Sequence, residues 1–312
     1  MIRMAQRDQQ SPVPSDRVLA DVVIVSYRSR AELRQAVEPI VSEPDFHVIV
    51  VDNASPDASL EVVSDLDVTS LQLPRNGGFA YGCNAGWRLG NAPHILFLNP
   101  DARIAPSSLR RLVAALDGDD LIGVVAPRIE DEDGSLAFSL RNFPRLRSTY
   151  ARAFFLHRVF PEASWADDVI RDPTVYRSRH AVDWASGACL LVRRSLLEQI
   201  DGLDEGFFMY GEDIDLCRRA WSAGSSVRYE PGVVVRHAGG RSAPRTALLP
   251  ALAASQLRYA RKHGSGLFPP LQRFGLVLGS VTHLLVGRGG RPARAGRLRA
   301  LGVLAGRKPP VN

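Results

Sequence analysis

Polar side chains follow three apolar runs in the first third of the 312-residue chain, at the points where buried strands would end. Ser26 and Tyr27 close the first run, Asp52 follows the second, and Asn99 and Asp101 follow the third. In an open parallel sheet, ligands bind beyond the carboxyl ends of the strands. A carboxylate such as Asp52 could accept hydrogen bonds there from a nucleobase or a ribose, and Asp101 could bind Mg²⁺ or Mn²⁺. These side chains are the first candidates for a binding site.

Each of these residues also has a purely structural explanation. Asp52 precedes Ser55-Pro56 and could cap a helix, while Tyr27 could stack on a base or simply pack against its neighbours. Asn99-Pro100-Asp101 is typical of a turn, which is the better interpretation of that motif taken alone.

A glycine-rich turn provides a second group of candidates. Arg75, with Asn76 beside it, could hold a phosphate or face solvent, and Gly77-Gly78 could admit a ligand close to the backbone or form an ordinary turn. Neither GxGxxG after the first strand nor GxxxxGKS/T anywhere is present, which argues against a dinucleotide fingerprint and against a P-loop enzyme.

Acidic residues cluster at a predicted helix start in the second half of the chain. Glu212, Asp213 and Asp215 lie within five residues. The helix dipole would stabilise such carboxylates by about 0.3–1 kcal/mol. The apolar lead-in Met209-Tyr210 is nevertheless unusual for a simple cap, and a carboxylate here could act as a general base. His237 follows a short apolar run and, taken alone, is better interpreted as a core histidine than as a metal ligand.

The elements that would position these residues alternate between strand and helix. Continuous apolar runs predict buried strands, and apolar residues at helical spacing predict helices between them. The predicted strands lie at 22–27, 46–51, 71–73, 94–98 and 122–126, and the predicted helices begin at a Ser29/Glu32 capping box and at Ser55-Pro56, follow Gly78, and cover 109–116. This alternation predicts an α/β fold with a doubly wound, mostly parallel sheet.

The second half is less regular. Asp133-Gly134 predicts a hairpin turn, residues 184–193 return to the sheet, and 227–229 and 233–236 are two further short strands. Residues 141–180 are rich in arginine and aromatic residues and too irregular for elements to be assigned.

The net charge of +6 divides unevenly along the chain. Residues 241–312 contain 13 Lys or Arg and no acid, which leaves 26 of the 39 basic residues and all 33 acidic ones in the first 240. A basic nucleic-acid-binding domain would not show this pattern, so no nucleic-acid partner is expected. The apolar run 274–286 is shorter than the roughly 18–20 residues that span a bilayer, and arginines from Arg288 onward follow it. The segment could attach to an anionic membrane surface, form a solvated tail, or pack on a partner.

Cysteine usage and the N-terminus indicate a reducing compartment. Cys83, Cys189 and Cys217 are too dispersed for a zinc motif, and their odd number argues against a disulfide framework. Residues 1–20 are expected to be a loose leader without the apolar core of a secretory signal. We therefore expect a cytoplasmic protein, either free or peripheral at the inner face of the plasma membrane.

Seven segments resemble, in their order, the inverting glycosyltransferases of family 2, which have the GT-A fold. They are VVIVSY, VVDNASPD, RNGGFAYGCNAG, LFLNPDA, WASGACLLVRR, FFMYGEDIDLCRRAWSAG and VVVRHAGG. Within the family, the combination of DNAS, NxGF, LNPD and FxYxEDxDLC is similar to bacterial rhamnosyltransferases. The resemblance implies a catalytic domain over 21–240, with a nucleotide-binding half (21–126) and an acceptor-side half (127–240), and a separate basic segment over 241–312.

The resemblance also implies roles for individual residues. Those along the nucleotide and the donor sugar would be Ser26, Tyr27, Asp52, Arg75, Asn76, Gly78, Asn99 and Gly187. Asn99-Pro100-Asp101 occupies the place of the family's DxD motif, so Asp101 becomes the expected contact of Mg²⁺ or Mn²⁺, with His237 closing the metal site. Asp213 would be the catalytic base, and Trp184 and Glu212 would lie on the acceptor side.

A single displacement that inverts the anomeric carbon is the implied reaction. In the leading interpretation, L-rhamnose moves from dTDP-rhamnose to a hydroxyl of a cell-envelope glycan or polyprenyl-linked precursor. One alternative is the same chemistry with UDP-galactofuranose, UDP-GlcNAc or UDP-glucose. Others are a non-catalytic glycan-binding protein and a nucleotidyltransferase, although the SYRSR segment lacks the glycine-rich loop that the latter needs after its first strand.

Overall fold

The computed structural model describes residues 2–3, 18–239, 245–286 and 290–308. Most of the expected leader, Gly240 at the expected domain boundary, and Arg288 in the basic segment lie outside the described residues.

A mixed sheet forms the centre of the molecule. Its strands, together with those of a small second sheet (β8 and β10), are β1 (Ile2–Arg3), β2 (Ala20–Ser26), β3 (Phe46–Asp52), β4 (Thr69–Gln72), β5 (His94–Leu98), β6 (Ala102–Arg103), β7 (Ile122–Glu130), β8 (Leu140–Arg141), β9 (His180–Ala181), β10 (Trp184–Ala185), β11 (Cys189–Arg193) and β12 (Ser226–His237). The order in the central sheet is β1-β4-β3-β2-β5-β11-β7-β12-β6, with β9 also paired to β12.

The predicted α/β fold with a mostly parallel central sheet is confirmed. Strands β4, β3, β2 and β5 are parallel neighbours, and so are β7 and β12. One strand, β11, runs antiparallel between β5 and β7 and joins the two parallel groups.

Helices cover both faces of this sheet, and further helices pack outside it. The helices of the described residues are α1 (Leu33–Val41), α2 (Phe79–Trp87), α3 (Pro106–Asp117), α4 (Leu146–Ala153), α5 (Leu156–Val159), α6 (Arg194–Gln199), α7 (Glu212–Ser222), α8 (Arg245–His263), α9 (Phe268–Leu285) and α10 (Gly290–Leu304). The apolar stripes of α1 and α3 pack in one core cluster, and those of α2 and α7 pack in the other. Each fully buried leucine, such as Leu112, stabilises the fold by about 1.5–3 kcal/mol.

Three local predictions are wrong. No α-helix begins at Ser55-Pro56, because the Ser55 N–H donates to the Asp52 carboxylate in a turn and only a short 3-10 helix follows at Ser59–Val63. No capping box forms at Ser29, whose hydroxyl donates to the Tyr27 carbonyl instead. The two short strands expected over 227–236 are one strand, β12, with an irregularity between Glu230 and Val234.

The basic C-terminal segment folds onto the rest of the chain. Helices α8 and α10 pack together, and α9 packs on α4, which lies in the stretch that sequence patterns left unassigned. None of the helices within the described ranges combines the length and the apolar character needed to cross a membrane.

Candidate functional site

The carboxyl ends of β2 and β3 bring Ser26 and Asp52 side by side, since these two residues are register partners. Both are buried, and Asp52 accepts hydrogen bonds from the Ser55 N–H at 3.1 and 3.3 Å. Burial raises the pKa of Asp52, and the bonds from Ser55 partly offset this. The Ser26 hydroxyl is buried without a hydrogen-bond partner among the described residues. Tyr27, half-buried, follows at the same edge and carries the Arg28 guanidinium 5.4 Å from its ring centre.

A residue that the sequence interpretation missed, Asn53, holds the glycine-rich turn in place. Its amide nitrogen donates to the Asn76 side-chain oxygen and to the Gly78 carbonyl, each at 3.0 Å. Its amide oxygen accepts from the Gly77 N–H at 3.1 Å. The DNAS segment contains Asn53, so its position directly after Asp52 was a usable signal. Arg75 extends outward from this turn and stacks over the Tyr81 ring at 4.9 Å.

Gly78 requires glycine for two reasons. Its φ is +93°, and a Cβ there would overlap the Phe208 carbonyl oxygen, with Phe208 Cα only 2.8 Å away. The next residue, Phe79, donates its N–H to that same carbonyl at 3.1 Å. The glycine-rich turn is therefore fixed against the loop that leads into α7.

Asp101 and His237 meet where the short strand β6 pairs with the end of β12. The His237 Nε2 lies 3.0 Å from Asp101 Oδ1 and 3.3 Å from the Asn99 side-chain nitrogen. Backbone pairing of His237 with Ala102, and a hydrogen bond from the Ala238 N–H to the Asp101 carbonyl, fix this approach. The two residues predicted for the metal site, Asp101 and His237, are thus brought together with Asn99, which was predicted to lie along the donor.

Asp213 stands at the first turn of α7, facing the loop before β11. Its Oδ2 accepts from the Gly187 N–H at 3.1 Å, and Oδ1 accepts from the Ile214 N–H at 2.8 Å. Burial raises the pKa of Asp213, which is opposed by these backbone bonds and by the charge of Arg141. Arg141 was not among the predicted site residues, because it lies in the segment whose sequence shows no periodicity.

Two residues were predicted for the acceptor side: Glu212, directly before Asp213 in the chain, and Trp184, in the short strand β10. Glu212 is buried and accepts from the Gly211 N–H at 2.8 Å. Its burial, and then the charge of Asp213, raise the pKa of Glu212 to about 8. Trp184 pairs with Arg141 across β10 and β8, and its indole N–H donates to the Asn142 carbonyl at 3.0 Å.

A backbone hydrogen bond links the loop of Asn99 to the loop that holds the Asp213 carboxylate. The Asn99 N–H donates to the Ala188 carbonyl, directly after Gly187, at 2.9 Å. Asp215, by contrast, does not face this site. It is completely buried and binds Arg219, Lys262 and His263 on the opposite side of α7's first turn.

Comparison with known families assigns the chain. The family model "Glycosyl transferase family 2" matches residues 21–200, more than half of the chain. The chain belongs to glycosyltransferase family 2; it is a glycosyltransferase with the GT-A fold. This assignment replaces the nucleotidyltransferase and glycan-binding alternatives.

The curated relatives include rhamnosyltransferases. The N-acetylglucosaminyl-diphospho-decaprenol L-rhamnosyltransferase of Mycobacterium tuberculosis is 31% identical over 239 residues, covering 72% of this chain and 77% of the relative. The rhamnosyltransferase WbbL of Escherichia coli is 26% identical over 230 residues, covering 69% of this chain and 82% of the relative.

A solved structure supports the fold over nearly the whole chain. The mannosyltransferase PcManGT of Pyrobaculum calidifontis, in complex with GDP-Man and Mn²⁺, is similar with a TM-score of 0.55 at 20% identity. The similarity covers 97% of this chain and 85% of that protein, so it includes the C-terminal helices.

Proposed function

We propose that this enzyme transfers L-rhamnose from dTDP-rhamnose to a hydroxyl of a polyprenyl-linked glycan precursor. The observation that carries the proposal is the 31% identity, over 72% of the chain, to an enzyme named as an L-rhamnosyltransferase of N-acetylglucosaminyl-diphospho-decaprenol. The donor end of the site agrees with a nucleotide sugar, since Asp52 and an unpartnered Ser26 hydroxyl offer polar groups at the carboxyl edge of the sheet.

Asp213 is the base in this proposal. Its carboxylate takes the proton of the acceptor hydroxyl as that oxygen attacks the anomeric carbon of the donor sugar. The bond between that carbon and the nucleoside diphosphate breaks on the opposite face, so the configuration inverts. A raised pKa makes Asp213 a stronger proton acceptor than an exposed aspartate. The neighbouring Glu212, with a pKa of about 8, holds its own proton at neutral pH and spares Asp213 a like charge.

The backbone around Asp213 positions this base. The Gly187 and Ile214 N–H groups each bind a different carboxylate oxygen, so the group has a fixed orientation toward the loop that would contact the sugar. Gly187 also leaves room, because a Cβ at this position would lie 3.3 Å from Asp213 Cβ.

Mg²⁺ or Mn²⁺ is the cofactor that we propose, held by Asp101 and His237. The Asp101 carboxylate is the type of ligand that suits Mg²⁺ and Mn²⁺, and the His237 Nε2 lies 3.0 Å from its Oδ1. Within the described ranges, no group of three or more His, Cys, Asp or Glu forms a metal site. The remaining ligands would therefore come from the donor's diphosphate and from water, which is common for Mg²⁺. A bound divalent ion would neutralise the charge that builds on the leaving diphosphate.

A donor panel tests the sugar. Purified enzyme is incubated with N-acetylglucosaminyl-diphospho-polyprenol and one donor at a time: dTDP-rhamnose, UDP-galactofuranose, UDP-GlcNAc or UDP-glucose. The mass of the lipid product is then measured by mass spectrometry. We expect a mass increase of one deoxyhexose with dTDP-rhamnose alone. Faster transfer from any UDP-sugar would replace rhamnose in this proposal while leaving the glycosyltransferase assignment intact.

Variants test the assigned residues in the same assay. Asp213→Asn should lower kcat by roughly 10²–10⁴-fold with donor binding retained, whereas the exposed Asp133→Asn serves as the matched control and should behave like the wild type. EDTA should abolish transfer and added Mn²⁺ or Mg²⁺ should restore it. Full activity of Asp213→Asn, or of the EDTA-treated enzyme, would contradict the corresponding assignment.

A further inference from the structure

Exposed apolar side chains are concentrated on one part of this molecule. Twelve of the seventeen large hydrophobic residues exposed in the described part of the chain lie in two segments, residues 154–165 and 267–298. Elsewhere such residues are scattered singly, which is ordinary for a protein surface. Two segments far apart in sequence therefore share an unusual surface character.

On α9 these residues form a stripe. Leu267, Leu271, Phe274, Val281 and Leu285 recur at intervals of three, four or seven, so they share one side of the helix along its whole length. Phe274 is 61% exposed and Leu285 is 81% exposed. The buried positions of α9, Gln272 and Gly275, lie on a different side and face α4.

The second segment packs directly against α9. The Thr282 hydroxyl donates to the Ala153 carbonyl at 2.7 Å, and the Phe155 and His283 rings lie 4.2 Å apart. The α4–α5 turn thereby places Phe154 and Val159, both more than half exposed, beside the end of the α9 stripe. We call the α9 stripe together with exposed residues of 154–165 the apolar face.

Positive charges border this face. Arg158 stacks over the Phe155 ring at 4.7 Å, next to His283. Arg297 lies on α10, which packs against α9, and burial, followed by the charge of Arg158, lowers the pKa of Arg297. Arg152 lies in the same region, because its backbone carbonyl contacts the His283 ring. The Arg152 guanidinium pairs with the Asp167 carboxylate at 3.4 Å.

Acidic residues are few in the two segments that form this face. Residues 143–166 contain Glu162 alone and residues 245–308 contain none, and Asp167, the next residue after the first of these ranges, pairs with Arg152 and Arg171. The Nδ1 atom of His157, beside Arg158, is buried without a hydrogen-bond partner among the described residues. Asp167 offsets the charge of Arg152, so the positive potential that attracts anions at this face comes from Arg158 and Arg297.

We propose that the apolar face docks on a bilayer containing anionic phospholipids, with the α9 stripe at the headgroup–acyl boundary and Arg158 and Arg297 at the lipid phosphates. An interfacial helix has this composition, with an apolar side and flanking arginines. A second copy of the chain fits less well, because symmetric pairing through this face would bring two such cationic groups together. The proposal extends the proposed function by giving access to a membrane-held acceptor, but it does not depend on which sugar is transferred.

Flotation of the full chain with vesicles tests this directly, and it needs no sugar donor. We expect the protein to float with vesicles of equal parts phosphatidylcholine and phosphatidylglycerol and to stay in the dense fraction with phosphatidylcholine alone. Arg158→Glu combined with Arg297→Glu should reduce binding at least about tenfold, and Phe274→Ser combined with Leu285→Ser should do the same at unchanged charge.

Matched controls separate docking from general surface effects. Leu121→Ser replaces a side chain that is 70% exposed far along the chain from this face, and Arg177→Glu reverses an exposed charge outside it. Both should float like the wild type, and thermal melting confirms that each variant is folded. Equal flotation with both lipid mixtures, no flotation, or unchanged flotation of the paired variants would overturn the proposal. The proposal would also be overturned if the wild type bound no vesicles but formed a concentration-dependent dimer that the Phe274→Ser/Leu285→Ser variant does not form.

Discussion

Asp215→Ala should destabilise the fold by about 3 kcal/mol, because this buried carboxylate joins α7 to α8. Its Oδ2 binds the Arg219 Nε at 2.7 Å, and its Oδ1 binds the Lys262 Nζ at 2.8 Å and the His263 Nε2 at 2.7 Å. Removing one member of a buried ion pair costs about 3–5 kcal/mol, since the other charge is left uncompensated.

The lower end of that range applies here for a structural reason. Lys262 also binds Asp204 at 2.7 Å, and Arg219 also donates to two backbone carbonyls. These two cations therefore keep other partners when the Asp215 carboxylate is removed. At roughly 2.1 cal/mol/K of unfolding entropy per residue, a chain of this length loses about 1.5 °C of Tm per kcal/mol, so we expect a decrease of about 5 °C.

Thermal and urea unfolding measure this change, and pH gives a second test. Burial alone would raise the pKa of Asp215, but the hydrogen bond from His263 and the charge of Arg219 outweigh it, so the pKa is lowered from 3.8. A carboxylate with a depressed folded-state pKa stabilises the fold above its unfolded value and loses that effect as the pH falls through the folded value. The difference between wild type and Asp215→Ala should therefore persist from neutral pH to about pH 4 and close in stronger acid.

Two control variants complete the experiment. Asp120→Ala removes a fully exposed carboxylate and should change Tm very little. Asp215→Asn keeps a hydrogen-bond acceptor and should cost less than Asp215→Ala. If Asp215→Ala unfolds like Asp120→Ala, the carboxylate does not hold α8 against α7 and the reasoning fails.

Three further substitutions probe the site. Gly78→Ala should lower the free energy of unfolding by at least about 2 kcal/mol, because the φ of Gly78 is +93° and a Cβ would overlap the Phe208 backbone. Gly134 also has a positive φ but has open space around it, so Gly134→Ala should lower the free energy of unfolding less in the same urea titration. Equal losses would refute the argument from the Phe208 contact. Glu212→Gln should match the wild type near pH 5 and become the more stable protein toward pH 8. The pKa of Glu212 is raised from 4.5 to about 8 by folding, so between these values the folded protein holds a proton that the unfolded chain has lost, and the wild type loses stability as the pH rises. Melting curves across that range measure a difference of a few kcal/mol, and a constant offset would contradict the protonated state. Asn53→Ala should raise KM for the donor by about tenfold and change kcat less. The substitution removes three hydrogen bonds that hold the glycine-rich turn, each worth about 1 kcal/mol or less. An unchanged KM in initial-rate kinetics would rule out this role of Asn53.

Strands β2, β3 and β5, which have continuous apolar runs, could be predicted from the sequence to within one or two residues, whereas β7 continues four residues beyond its predicted end at Ala126. All residues of β5 and all but one of β3 are buried, and burial of both faces requires the continuous apolar run from which these strands were predicted. The polar residues directly after these strands were informative for the same reason, because the end of a buried strand fixes their location. The close approach of Asp101 to His237 followed from the family resemblance and not from local pattern, since each residue alone favoured a structural role.

Long-range contacts explain what the sequence could not predict. Helix α4 packs on α9, and Thr149 binds Gln272 across 123 residues, so no local periodicity reveals the position of α4. The helix expected at Ser55-Pro56 failed because the Asp52 carboxylate accepts the Ser55 N–H and holds a turn there. Asp215 looked like part of the acidic site, but its partners Lys262 and His263 come from a helix that starts only at Arg245.

The pairing of β6 with the end of β12 has a consequence for how the enzyme is made. Asn99 and His237 are separated by 138 residues, and the backbone bonds that bring them together form only after β12 exists. While the chain is still being synthesised, β2 to β5 and the Asp52 edge can assemble before Asp213 or His237 has left the ribosome. The edge that we propose to bind the nucleotide can therefore form before the proposed base and the proposed metal ligand are present, so under the proposed function an incomplete chain would be unable to transfer the sugar.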